Sequence, residues 1–225
     1  MVKQYMSRNM KAIQYKFILL LSILCLSTIG CSEKGSKKES QEKRINAKGD
    51  TVLVSMPDSM EIYRKIDKKE NCFIVISKKY LCLQVYEVVK NDTLLTAFFP
   101  VCLSRNKGEK QSSGDMRTPE STMEEPFSIE DIQDASTWTH DFGDGRGAIL
   151  AYGNWFLRLS TGFRGIGIHG STGNEDSVPG RDSEGCIRLR DADIIYLKEN
   201  YAFVGMKVTI QHEDEEPYSF ERQNK

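Results

Sequence analysis

Two short alternating segments, separated by a polar loop, constrain this chain more than anything else in it. They are Gly165-Ile166-Gly167-Ile168-His169-Gly170-Ser171 and Ser183-Glu184-Gly185-Cys186-Ile187-Arg188-Leu189. Neighbouring side chains of a strand point to opposite faces, so each segment has an apolar phase and a reactive one. Ile166 and Ile168 are expected to face a core, with Gly165, Gly167 and His169 on the other side. In the second segment Ile187 and Leu189 face inward, with Cys186 and Arg188 opposite. Glycines beside His169 leave its face bare and admit close approach of another backbone. Laid side by side, the segments line one groove with a His, a Cys and an Arg. The thiolate is the attacking form of a cysteine, and an adjacent imidazole raises its population near neutral pH, so the pattern is one of nucleophilic catalysis. Taken singly, a His is more often a hydrogen-bonded structural residue and a Cys a small buried hydrophobe. Here both sit next to glycines, on the polar phase of their strands, flanking one loop, and that combination favours chemistry.

The rest of the chain predicts short strands broken by turn residues. Asp50–Ser55 reads as a short strand, and Met60, Tyr63 and Ile66 stand at helical spacing within Asp58–Ile66. Cys72–Ile76 and Leu81–Val88 read as a hairpin turning at Ser77-Lys78-Lys79, and Asn91-Asp92 makes the next turn. Leu94–Leu103 is a third strand, with Pro100 marking an edge or a bulge. Arg105–Ser113 is a polar loop, Gly114-Asp115 and Thr118-Pro119 a rigid corner, and Pro126–Ile129 the next strand. At the corner Asp115 is expected to hydrogen-bond its own loop. Asp131–Gly147 reads as a loop carrying Trp138, His140 and Phe142, either a wall of the groove or a cover for the core. Asp141–Gly145 lacks the ligand pattern of a calcium loop and reads as a turn. Ala148–Tyr152 and Trp155–Ser160 form a hairpin through Gly153-Asn154. Asp191 caps a helix whose apolar side is Ile194, Ile195 and Leu197, and Val204–Ile210 is the last strand. The expected fold class is mainly β, a sandwich or partly closed barrel with one helix after Cys186.

The N-terminus reads as a targeting segment. Lys11 and Lys16 precede the apolar run Phe17–Leu26, which has the length of a signal-peptide core and is short for a membrane span. It ends in Ser27-Thr28-Ile29-Gly30-Cys31, similar to a bacterial lipobox, in which the Cys31 thiol is acylated and becomes the new N-terminus. Met10 is an alternative start, close to the basic residues. The Lys/Glu/Ser/Gln-rich stretch that follows reads as a solvated tether, and the chain after Gln211 as a solvated acidic tail. Formal net charge is −1, which points away from a nucleic-acid partner. Cys72, Cys82 and Cys102 lie in strand-like runs, and an oxidising compartment is compatible with a disulfide between two of them. No CxxC or HxxxH spacing occurs and His140 and His212 stand alone, so no metal site is expected.

His169-Gly170-Ser171, a loop, and Ser183-x-Gly185-Cys186-Ile187-Arg188-Leu189 resemble the signature of the L,D-transpeptidases, the YkuD-type catalytic domain. Gly114-Asp115-x-x-Thr118-Pro119 is similar to that family's second landmark, and the resemblance runs from about Cys72 to about Gln211. It implies the family's β-rich fold and a catalytic domain over 71–211; with the reading of the ends, the chain divides into a lipoprotein signal peptide (1–31), a flexible tether (32–49), a short extension (50–70), that catalytic domain and an acidic tail (212–225). It implies that Cys186 is the nucleophile and His169 its base, with the imidazole oriented by a backbone carbonyl near Gly170-Ser171 or by Ser183. The amides of Gly185 and Cys186 suit an oxyanion hole, and Gly170, Ser171, Glu184 and Arg188 are candidate substrate contacts, Arg188 either binding a carboxylate or bracing the loop. Many members carry His where this chain has Glu184, and a carboxylate there repels an anionic substrate. The implied partners are peptidoglycan stem peptides, a tetrapeptide donor and an amine acceptor, with no cofactor. The implied setting is the cell envelope, on a periplasm-facing membrane held by the N-terminal lipid, in cell-wall organisation and cell shape. Two other readings stand beside it: an L,D-carboxypeptidase or other hydrolase on the same scaffold, and a catalytically impaired wall-binding lipoprotein.

Overall fold

The β-branched and aromatic runs between turn signals form strands, as their fit to a pleated, half-buried surface dictates. The computed structural model describes residues 57–216 and, as backbone, strands β1 (Gln41–Ile45) and β2 (Thr51–Ser55), which pair antiparallel. Then come β3 (Glu61–Ile62), β4 (Cys72–Ser77), β5 (Cys82–Val89), β6 (Asp92–Pro100), β7 (Cys102–Ser104) and β8 (Phe127–Asp134). After these follow β9 (Thr139–Asp141), β10 (Ala148–Leu150), β11 (Trp155–Leu159), β12 (Gly167–His169), β13 (Gly180–Ser183), β14 (Ile187–Arg188), helix α1 (Asp191–Asn200) and β15 (Lys207–Ile210). Eleven strands make one sheet in the order β13-β7-β14-β12-β11-β8-β15-β4-β5-β6-β3. Ile74, Leu83 and Phe99 from one half and Leu157, Ile168 and Ile187 from the other fill a single core, so the sheet folds over on itself. Helix α1 seals that core with Ile194 and Leu197. The result is the mainly β, sandwich-like architecture expected, with one helix after Cys186 among the described residues.

Several local expectations are corrected by pairing. Asp58–Ile66 holds no helix: Glu61 and Ile62 pair instead with Phe98 and Ala97 at the edge of β6, while Met60 and Ile66 pack on the core and Tyr63 stays exposed. Part of the stretch read as tether is strand β1, because the Thr51–Ser55 run offers it an antiparallel partner. Asp131–Gly147 is not all loop, since β8 runs on to Asp134 and β9 pairs with β10. That pairing takes β10 away from β11, so the hairpin expected at Gly153-Asn154 does not form. There Gly153, at φ +65°, packs its Cα against Gly170 and Asp191, where a side chain finds no room. Asp191 is the first helical residue and makes no cap; Arg190 holds the cap position, and Ile195 is only half-buried.

Charges are also less solvated than expected. Lys78, read as a turn residue, is buried, and its ammonium donates to the Thr118 carbonyl (2.6 Å), the Gly108 carbonyl (3.0 Å) and Glu120 (2.7 Å). The start of the acidic tail is pinned: His212 bonds Glu120, Arg181 pairs with Glu213, and Lys79 with Glu216. No disulfide joins the described cysteines. Cys72 lies opposite Glu87 and Cys82 opposite Ser77 and Pro100, so their registers keep them apart, and the Cys102 sulfur instead accepts the Asp182 amide at 3.2 Å. The signal segment with Cys31, tether residues 32–40 and tail residues 217–225 lie outside the described residues.

Candidate active site

Strands β12 and β14 lie parallel, with Ile168 opposite Ile187 and His169 opposite Arg188. Both isoleucines enter the core, which turns His169 and Arg188 to the other face. Cys186, one residue before β14, reaches the same face. All three line a cleft of 470 Å³ together with Lys110, Tyr152 and Glu184. Ile166, expected in the main core, lines this cleft instead, because regular alternation begins only at Gly167.

The imidazole of His169 is held on two sides. Its Nδ1 lies 2.6 Å from the Gly170 carbonyl oxygen. A carbonyl only accepts, so Nδ1 carries the proton and Nε2 is left as the basic nitrogen. Phe156 stacks on the ring at 5.6 Å, and Tyr152 leans on it at 4.9 Å. Burial pushes the His169 pKa down to about 3, against the pull of the Gly170 hydrogen bond and with help from the Arg188 and His140 charges. The Cys186 thiol donates to the Gly165 carbonyl at 3.1 Å. Burial pushes this thiol up; the Gly167 backbone, Arg188 and Lys110 oppose the shift, and Glu184 adds to it. Both shifts run toward the neutral thiol and the neutral imidazole and away from the thiolate–imidazolium pair that the residue pairing alone suggests.

A family model described as the YkuD L,D-transpeptidase catalytic domain matches residues 72–210, a span that contains every residue of this cleft. The chain belongs to the YkuD family of L,D-transpeptidase catalytic domains. This family acts on peptidoglycan stem peptides. No curated protein sequence matches the chain. Among solved structures it is similar to Bd1075 of Bdellovibrio bacteriovorus (19% identity, TM-score 0.44, covering 70% of this chain and 54% of that one). It is also similar to an L,D-transpeptidase of Xylanimonas cellulosilytica (16%, TM-score 0.42, 66% and 64%). A third is the helical cell shape determining protein Pgp2 of Campylobacter jejuni (16%, TM-score 0.45, 69% and 55%). The chain spans less than two thirds of the length of each of these proteins.

Within the YkuD domain the remaining motif residues fall into distinct places. Ser183 Oγ donates to the Cys186 carbonyl at 2.6 Å and accepts the Gly185 amide at 3.2 Å, so it closes the turn that carries the thiol and does not reach His169. The Gly185 amide, read as half of an oxyanion hole, is engaged by that bond. Gly185 itself has φ +139°, and a side chain there would begin 2.9 Å from the Arg117 carbonyl. Gly170 and Ser171, read as substrate contacts, are buried behind His169. The Ser171 amide donates to Asp191 at 2.8 Å, and Gly170 leaves no space for a Cβ beside Asp191 and Gly153. Glu184 meets His140 at 3.2 Å, and His140 and Phe142 form one wall of the cleft. Arg188, 3% exposed, lies 5.0 Å from the Phe142 ring and 3.6 Å from Asp182.

Four residues around the site were not singled out from the sequence. Phe156 alternates with Leu157 and Leu159, which enter the core, and bare Gly167 is the signal for it: a Cβ at Gly167 would sit 2.5 Å from the Phe156 ring. Tyr152 carried no signal beyond its place in a strand-like run. Asp191 was read as a helix cap. Lys110 sat in a polar loop, ahead of the Gly114-Asp115 landmark that holds it.

Proposed function

We propose that this chain is a peptidoglycan L,D-transpeptidase that forms 3–3 cross-links, or wall attachments, through a Cys186 thioacyl intermediate. The observation that carries the reading is the shared cleft of Cys186 and His169, with the His169 Nδ1 tied to Gly170 so that Nε2 can take a proton. In the first half-reaction the Cys186 sulfur attacks the carbonyl between the third and fourth residues of a tetrapeptide stem while Nε2 takes the thiol proton. The C–N bond breaks, the proton passes to the leaving amine, and D-Ala departs. In the second half, an amine of another stem attacks the thioester. Its proton passes to Nε2, the C–S bond breaks, and the thiol is restored. Since both shifts favour the neutral forms, the proton moves to Nε2 as the sulfur attacks. The Cys186 amide serves as the oxyanion donor, since the Gly185 amide is engaged by Ser183.

Cys31 in this reading carries the lipid, and the part of the tether before β1, residues 32–40, gives the domain reach from a periplasm-facing membrane to the wall. The 50–70 segment is an extension of the domain at 71–211, and 212–225 a tail.

The test is incubation of the full-length chain, solubilised in detergent, with purified disaccharide-tetrapeptide, reading products by mass. A dimer lacking one D-Ala, absent with C186A, is expected. Tripeptide alone would move the assignment to an L,D-carboxypeptidase, with water replacing the amine. No Cys186-dependent product from a folded protein would leave a different acceptor, such as a lipoprotein, or the wall-binding reading.

A further inference from the structure

We propose that His140 and Glu184 form a second acid–base pair in the cleft, in which His140 takes the extra proton of an incoming alkylammonium acceptor and Glu184 holds the resulting imidazolium. The proposal rests on the transpeptidase reading and adds to it a base for the second half-reaction.

The need for such a base follows from counting protons. An ammonium has no lone pair with which to attack a thioester. A primary alkylamine near pH 7 is protonated more than about a thousandfold over its free base. The acceptor therefore has two protons to lose. His169 takes the one released as the amine attacks, and nothing about it suits the other. Its Nδ1 is tied to the Gly170 carbonyl at 2.6 Å, it is 3% exposed, and Phe156 covers one face of its ring. Burial also works against a standing charge on this imidazole.

His140 has the properties that His169 lacks. It stands in β9 and lines the same 470 Å³ cleft as Cys186 and His169. Its side chain is 34% exposed, so a proton taken there can leave to water. Its Nε2 lies 3.2 Å from Glu184 Oε2, and Glu184 sits two residues before Cys186 in the turn that carries the thiol. A carboxylate only accepts, so Nε2 carries a proton and Nδ1 is the basic nitrogen. The Phe142 ring meets the imidazole edge-on at 4.5 Å and helps to fix its plane. Tyr152 neighbours both imidazoles, with centroids 6.4 Å from His140 and 4.9 Å from His169, so the two bases belong to one cluster. Of the buried cations in the cleft, Lys110 is paired with Asp115 and Arg188 lies on the Phe142 ring, which leaves Glu184 to His140.

The protons balance over the cycle. The acceptor ammonium gives one proton to His140 Nδ1 and becomes a free amine. Its nitrogen then bonds the thioester carbon, and its second proton passes through His169 Nε2 to the Cys186 sulfur as the C–S bond breaks. His140 returns its proton to water, matching the one that the departed D-Ala amine takes up. His140 is thus a catalytic residue of the second step, and Glu184 positions it and stabilises its charged form.

The test charges the full-length chain in detergent with disaccharide-tetrapeptide, offers methylamine and hydroxylamine together at pH 7, and reads the products by mass. Methylamine arrives as an ammonium and hydroxylamine mainly as a free base. Both attack the same thioester, so the ratio of methylamide to hydroxamate is independent of how fast that thioester forms. The ratio is expected to fall at least about tenfold in H140Q and by a smaller factor in E184Q, which keeps the imidazole without its counter-charge. The deficit should shrink as pH rises toward about 10, where methylamine loses its own proton. A wild-type ratio in either variant, or a deficit that does not change with pH, overturns the pair. If the wild-type chain gives neither amine product, the transpeptidase reading itself falls and the pair's role with it.

Discussion

The Phe156 ring lies nearly parallel on the His169 imidazole, with centroids 5.6 Å and planes 16° apart. Gly167 makes this possible, since any side chain there would overlap the Phe156 ring and the Leu157 carbonyl. The stack excludes water from one face of the imidazole and keeps Nε2 turned to the cleft. Phe156→Leu preserves apolar volume and removes the flat surface, so it is expected to lower turnover about tenfold through misplacement of the base, with a stability loss under about 1.5 kcal/mol. Gly167→Ala is expected to cost roughly 1–3 kcal/mol by overpacking. Urea midpoints and single-turnover rates on the two variants check both, and an unchanged rate in Phe156→Leu would refute the positioning role.

Asp191 ties the loop after His169 to the start of α1. Its carboxylate accepts the Ser171 amide at 2.8 Å and the Thr172 hydroxyl, and its own amide donates to Glu175 at 2.6 Å. Asp191→Ala leaves a part-buried amide and hydroxyl without their acceptor, a loss of about 1–3 kcal/mol. Because the Gly170 carbonyl that holds Nδ1 belongs to this loop, activity is expected to fall further than stability alone explains. Asp191→Asn keeps one acceptor oxygen and should fall between the two. Thermal melts alongside rates at a temperature where all variants are folded separate the effects.

The neutral resting pair has a pH signature of known sign. His169 has a folded pKa of about 3, below its ordinary 6.5, so between those values the unfolded chain binds more protons. Its contribution to stability is full above pH 6.5 and is lost as pH falls toward 3. His169→Gln should therefore narrow the drop in Tm between pH near 7 and near 5. Cys186 shifts the other way: its folded pKa lies above 9.0, so its contribution is present below pH 9 and lost as pH rises through the folded value. Alkylation of substrate-free enzyme by iodoacetamide should accordingly show a midpoint above 9.0. A midpoint near neutrality would mean that the thiolate is preformed after all.

Lys78 is a buried cation that holds the Thr118-Pro119 corner to the β4–β5 turn and the start of the tail. Burial pulls its pKa down, and the bond to Glu120 opposes this, leaving a pair whose loss strands a carboxylate with 6% of its side chain exposed. Lys78→Met is expected to cost about 3–5 kcal/mol, and adding Glu120→Gln should return part of it by removing the stranded charge. Urea unfolding at constant m-value measures the cycle.

Side-chain alternation and turn chemistry are local, and what depends on them alone was legible in the sequence. The common face of His169, Cys186 and Arg188 follows from period-two patterning, as does the β4–β5 hairpin. The Asp115 clamp follows from an Asp placed to bond its own loop. Long-range pairing decided the rest. Whether Ala148–Leu150 joins β11 or β9 depends on which edge lies free once β8 and β12 have flanked β11. Whether Asp191 caps its helix or holds the histidine loop depends on Gly153 and Gly170 bringing the backbones together. Burial of charge is the other tertiary decision. Lys78, Lys110 and Arg188 look like solvated residues along the chain, and only partners or a cavity assembled from distant segments determine where their charges end. The acid–base state of the site belongs to that same class: residue identities supplied a thiol and an imidazole, but desolvation, a property of everything packed around them, keeps both neutral.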